Sequence, residues 1–160
     1  MGAADDHVAR LRAAVGHAPL WLLSVTGVVI DADASRTLLV RRPETGLWAP
    51  VAAVLGPGEE PAPAIERAVH AEAGTHATVE QLAWVHVTRP LRYANGDRAQ
   101  YLNLVFRLRV EQATDAPEPA TARWFPLDGL PPDLGADHRE RIDAALAPDR
   151  ATRFARPPLR

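Results

Sequence analysis

Residues 21–30 (WLLSVTGVVI) form a long apolar run rich in β-branched residues, and residues 31–35 (DADAS) end it in a turn. The pattern predicts a buried strand, with residues 36–42 (RTLLVRR) as its hairpin partner. Ahead of it, Asp5 or Asp6 can cap a short helix that carries Val8, Leu11 and Val15 on one face, and Gly16 and Pro19 end that helix. Residues 49–55 read as a short strand, followed by the turn Gly56-Pro57-Gly58. The next segment switches to helical spacing, with Ala62, Ile65, Val69 and Ala73 as its core stripe. Pro61 suits the first helical turn, and Gly74 suits the position just past the last. Residues 78–88 predict another strand. Asn95-Gly96 is a hairpin signal between residues 91–94 and 98–110. After a polar, proline-containing loop at 113–119, residues 120–125 read as a last short strand. A Pro-rich connector leads to a closing helix at 136–146, with Ile142, Ala145 and Leu146 at helical spacing. The order predicts an α/β protein with one mixed sheet between helices.

Within this order one stretch carries chemistry: Ala53-x5-Glu59-x7-Arg67-Ala68-Val69-His70-Ala71-Glu72-Ala73-Gly74. Its spacing resembles the Nudix box, G-x5-E-x7-R-E-U-x-E-E-x-G-U, where U is aliphatic. Residues 36–42, Trp48 ahead of the box, the hairpin with Asn95-Gly96-Asp97, and Arg123-Trp124-Phe125-Pro126-Leu127 extend the likeness over residues 21–146. The chain is therefore identified as resembling the Nudix (MutT-like) superfamily. The resemblance implies a Nudix-like α/β/α sandwich over residues 20–147; outside it, residues 1–19 read as an N-terminal helical extension and residues 148–160 as a loose basic tail.

The resemblance also implies chemistry. In an intact box, three helix acids at i, i+3 and i+4 share one side of the helix. They hold Mg²⁺ or Mn²⁺, hard ions that take oxygen ligands, and the metal polarises a diphosphate toward attack by water. Here those positions are Ala68, Ala71 and Glu72, and the first glycine of the motif is Ala53. Glu72 and Glu59 are left as the metal-binding acids, and Glu72, Glu59 and Arg67 as the catalytic set, with Arg67 bracing Glu59. Losing even the partners of metal ligands costs about 10–100-fold in affinity or activity. The expectation is a relative of the hydrolases of nucleoside diphosphate-linked substrates, with weak or lost activity and with weakly bound Mg²⁺ or Mn²⁺, or no metal. The alternatives are a non-catalytic or regulatory domain that binds a small ligand, and an enzyme with diverged, metal-independent chemistry.

Other residues are weaker candidates. Trp48, Arg89, Arg92, Tyr93 and Arg98 could contact a flat or anionic ligand, while burial explains Trp48 at least as well and a solvated hairpin is the commoner account of the arginines. Asp97 and Glu118 are late acids that could reach the site, but both sit in predicted turns. Ala64, Ala68 and Ala71 form a small apolar flank beside Glu72. Glu66 is expected to face solvent and pair with His70. Trp84 and His86 share a strand face, with packing as their expected role.

Composition narrows the classes. The chain has 160 residues, 47% hydrophobic and 24% charged, which suits one globular domain. Its net charge of −2 gives no general attraction to nucleic acid or to an anionic membrane. All 18 basic residues are arginine, which excludes lysine nucleophiles. There is no cysteine, so disulfides and thiol catalysis are excluded. The N-terminus does not read as a signal peptide, no run is long enough to span a membrane, and a cytoplasmic location is expected. The expected partner is a nucleotide-like small molecule. Nudix proteins often dimerise, so a homodimer is one state the resemblance allows.

Overall fold

The computed structural model describes residues 3–110 and 120–155. The element order is α1 (Ala3–Val15), β1 (Leu20–Ile30), β2 (Arg36–Arg41), β3 (Trp48–Ala49), β4 (Val51–Val54), α2 (Pro61–Ala73), β5 (Thr78–Val87), β6 (Leu91–Arg92), β7 (Arg98–Arg109), β8 (Ala122–Pro126), α3 (Ala136–Leu146) and β9 (Arg153–Phe154). The strands form one mixed sheet in the order β3-β2-β1-β7-β5-β9, with β4 also on β1, β6 on β7 and β8 on β2.

β1 is the spine of the sheet. It runs parallel to β7 along its whole length, from Leu20 opposite Ala99 to Ile30 opposite Arg109. On its other edge it divides. Val29 and Ile30 pair with β2, whereas Ser24 to Gly27 pair with β4. The sheet therefore splays between β2 and β4, and Pro50 separates β3 from β4 where the sequence reads as one strand. Proline lacks the N–H that a continuous ladder requires.

Alternation along β1 sorts the two faces. Val25 and Val29 join Ile65 and Val69 of α2 in one core cluster. Val28 and Ile30 join Ile142 and Ala145 of α3 in the other. This is the expected sandwich. Gly27 is part of the α2 contact, because a Cβ there would lie 2.8 Å from Ile65 Cγ1.

Two expectations about elements change. Ala64, not Ala62, completes the buried stripe of α2. Part of the tail is ordered: Arg153 and Phe154 pair in parallel with Trp84 and Val85 of β5. The loop at 113–119, including Glu118, lies outside the described residues. No helix among the described residues is long and apolar enough to cross a membrane.

Candidate functional site

The box forms a braced loop followed by a helix. Glu59 Oε2 accepts a hydrogen bond from Gly56 N at 3.1 Å, and Glu59 Oε1 accepts one from Arg67 Nη2. One carboxylate thus closes the turn and ties it to the second turn of α2. Pro61 starts the helix, where its missing N–H costs nothing. Gly74 ends it in the left-handed region at φ 62°, and its N–H bonds to His70 O at 2.9 Å.

The acid positions look different. Ala68 is half-buried and packs against the α2-side core, and Ala71 is exposed. Glu72 accepts a hydrogen bond from Arg42 Nη1 at 3.1 Å, and Arg42 Nη2 donates to Pro50 O at 3.0 Å. Arg42 follows β2, and Pro50 lies between β3 and β4, so the pair sits where the sheet splays. Burial pushes the Glu72 carboxyl above its ordinary value, Arg42 offsets part of that shift, and Glu44 adds to it. The expected flank of three alanines is not formed as a surface, because Ala64 is wholly buried in the core. Glu66 does not pair with His70. Its Oε1 accepts from Val79 N at 2.8 Å, tying α2 to β5, while His70 stacks on His76 with ring centroids 4.0 Å apart.

The other candidates spread over the molecule. Trp48 is buried, edge-on to Phe125 at 5.0 Å and beneath the guanidinium groups of Arg41 and Arg123. The hairpin residues bond to α1, to the segment after it and to one another: Arg12 Nη2 donates to Arg98 O at 2.7 Å, Arg98 Nε donates to His17 O at 3.3 Å, and Tyr93 Oη meets Tyr101 Oη at 2.7 Å. Asp97 is held by His17 at 2.8 Å and by Arg12 at 3.4 Å, so this late acid anchors the segment after α1. Arg92 is exposed on β6, and Arg89 pairs with Asp137 at the start of α3.

The structure also assembles a polar group that strand periodicity alone did not single out. On the α3 side of the sheet, Asn103 Nδ2 donates to Ser24 Oγ at 2.8 Å and to Thr26 Oγ1 at 3.0 Å. His86 Nε2 donates to Asn103 Oδ1 at 3.1 Å and stacks on Trp84 at 3.9 Å. Burial lowers the His86 pKa, with Arg141 adding to the effect. His138 of α3 lies in the same field: burial, Arg141 and Arg42 bring it to about 4. The available signal was Ser24, Thr26 and Asn103 interrupting apolar strand runs.

Comparison with solved structures places the architecture. A UDP-X diphosphatase superposes with a TM-score of 0.59 at 22% identity, covering 89% of this chain and 69% of that one. An ADP-ribose pyrophosphatase from Streptococcus suis gives 0.62 at 18% identity, covering 84% and 98%. A MutT protein from Methanosarcina mazei gives 0.60 at 17% identity, covering 84% and 99%. At these identities the likeness establishes the fold. No curated protein matches the chain in sequence. The sequence profile of the NUDIX domain matches residues 21–145, which spans both strand pairs of β1, the braced box and α3, and the chain belongs to the NUDIX domain family.

Proposed function

We propose that the protein takes a nucleotide-like small molecule of the nucleoside diphosphate-linked class into the cleft beside α2, and that metal-dependent hydrolysis there is weak or lost. The substrate class follows from family membership and from relatives described as a UDP-X diphosphatase and an ADP-ribose pyrophosphatase. One observation supports the loss. Two acid positions of the box are Ala68 and Ala71, and the remaining helix acid, Glu72, is already bonded to Arg42.

The donor set supports this reading. Mg²⁺ and Mn²⁺ want several oxygen ligands in near-octahedral geometry. Among the described residues, no three His, Cys, Asp or Glu side chains gather closely enough to share a cation. Glu59 is engaged by Arg67 and Gly56 N, and Glu72 by Arg42. These residues do not suit a resident divalent ion. The Arg42–Glu72 pair instead favours ligand binding without metal, either as a non-catalytic function or as metal-independent chemistry.

Calorimetry with Mg²⁺ and Mn²⁺, each with and without ADP-ribose, tests the loss. Little or no heat from the metals is expected, and tight metal binding to the unaltered protein would overturn it. The variant carrying Ala68→Glu and Ala71→Glu should gain diphosphatase activity; a folded variant inert on a panel of nucleoside diphosphate-linked substrates argues against the inherited cleft. A nucleotide that raises the melting temperature without metal supports binding, and a blank metal-free screen counts against it.

A further inference from the structure

Away from the box acids, a cavity of ≈ 670 Å³ opens between α3, β5 and β9. This is within the usual size of small-ligand sites, about 300–1,000 Å³. Neither Glu59, Arg67 nor Glu72 lines it. Its charges cancel in pairs, with one exception. Asp137 holds Arg89 at 2.7 Å, and Glu140 holds Arg153 at 2.6 Å. Arg141 has no carboxylate partner among the described residues. Its Nη1 donates to His138 Nδ1 at 2.8 Å, and a ring nitrogen that accepts leaves that histidine uncharged. Its Nε is buried without a hydrogen-bond partner. No acceptor meets its Nη2 among the described residues.

The unpaired edge of Arg141 is thus Nε with Nη2. That is an edge a guanidinium uses to grip carboxylate or phosphate through two parallel hydrogen bonds. Burial disfavours this guanidinium, and Asp137 and Glu140 offset part of that cost from a distance without bonding its Nε edge; an arriving anion would satisfy that edge directly. The neighbouring imidazoles do not supply the charge. His138 accepts from Arg141 and is therefore neutral, and His86 is a cation or a neutral ring but never an anion, bonded to Asn103. At the mouth, the side chains of Val87 and Phe154 are exposed, offering apolar surface next to the cation.

We propose that this cavity is an anion-binding site centred on Arg141, taking the carboxylate or phosphate group of a small molecule. The site uses none of the box acids of α2. The exposed Val87 and Phe154 favour a carboxylate or phosphate carried on an apolar body.

The test is calorimetry of the full chain in chloride buffer with benzoate, with its neutral counterpart benzamide, and with inorganic phosphate. Benzoate or phosphate should bind and benzamide should not. Benzoate without phosphate identifies an organic carboxylate, and phosphate without benzoate identifies a phosphate group. Arg141→Met should weaken anion binding by about tenfold or more, the scale of a hydrogen-bonded charge pair. Arg139→Met, an exposed arginine on the same helix that does not line the cavity, should leave it unchanged. Absence of heat from both anions at millimolar concentration, equal binding of benzoate and benzamide, or an unaffected Arg141→Met variant overturns the proposal. Should Arg141→Met fail to fold, histidine ring signals in the unaltered protein decide it: the anion should shift those of His86 and His138, and a spectrum in which neither moves overturns it.

Discussion

At the residue scale, Arg42 governs what Glu72 can do. Its guanidinium bridges the carboxylate and Pro50 O, one acid oxygen and one carbonyl oxygen held by a single fixed cation. Arg42→Met should therefore raise the Glu72 pKa further above its ordinary value, because the offsetting charge is lost and the burial remains. A carboxyl-detected NMR titration reads this directly, and a downward shift would contradict the assignment. The stability cost should be modest, about 1 kcal/mol or less, since the pair is partly solvated and screened. The two alanines differ in a way the motif alone does not reveal. Ala71 is exposed, so Ala71→Glu should stay within about 0.5 kcal/mol of the parent. Ala68 packs against the core, so Ala68→Glu should cost about 1–3 kcal/mol as a polar group is drawn from water. Urea denaturation of the single variants checks the order, and the reverse ranking would misplace the helix face.

At the element scale, the close approach of β1 and α2 sets where the box helix sits. A methyl at Gly27 would meet Ile65 Cγ1 at 2.8 Å and Leu108 Cδ1 at 3.0 Å. Gly27→Ala should cost about 1–3 kcal/mol by overpacking. The penalty should shrink in an Ile65→Ala background, where Cγ1 is gone, and a double-mutant cycle with no coupling would rule out this contact. Helix positions were legible in the chain because their signals are local. The spacing of Ile65, Val69 and Ala73, with Pro61 and Gly74 as bounds, needs no distant partner, and α3 likewise spans 136–146 as expected. What was not legible depends on partners far along the chain. The division of β1 between β2 and β4 is a register choice, Glu66 finds its acceptor role at Val79 N, and Arg153 and Phe154 become a strand only because β5 offers an edge. The candidate site divides along the same line. The Glu59–Arg67 brace was legible because both residues belong to one motif, whereas Arg42 lies thirty residues from Glu72. Ser24, Thr26, Asn103 and His86 come from three strands and meet only when β1, β7 and β5 align.

At the scale of the whole molecule, the α3 side of the sheet makes stability depend on pH. His138 is brought to about 4, and His86 is also lowered, each chiefly by burial. An unfolded histidine takes up its proton near pH 6.5. As pH falls from 6.5 toward 4, the unfolded chain therefore binds more protons than the folded one at these two positions. Stability must decrease over that window, with a slope approaching about 1.4 kcal/mol per pH unit from His138, and His86 adds to the fall in the same direction. Asp31 and Glu80 do not produce this loss. Their folded values are depressed by hydrogen bonds that outweigh burial, so their contribution persists until pH falls through the folded values, below the ordinary carboxylate range. Glu72 acts with the opposite sign. Its raised folded value lets the native state take up a proton first, which offsets part of the histidine effect near the acid end of the window. Urea unfolding at pH 7.5, 6.5, 5.5 and 5.0 should show a progressive fall. His138→Asn, whose Oδ1 can still accept from Arg141, should flatten the profile while leaving stability at pH 7.5 close to the parent. A parent profile that is flat or rising toward pH 5 would mean that these histidines are protonated in the fold, which is incompatible with His138 Nδ1 accepting from Arg141.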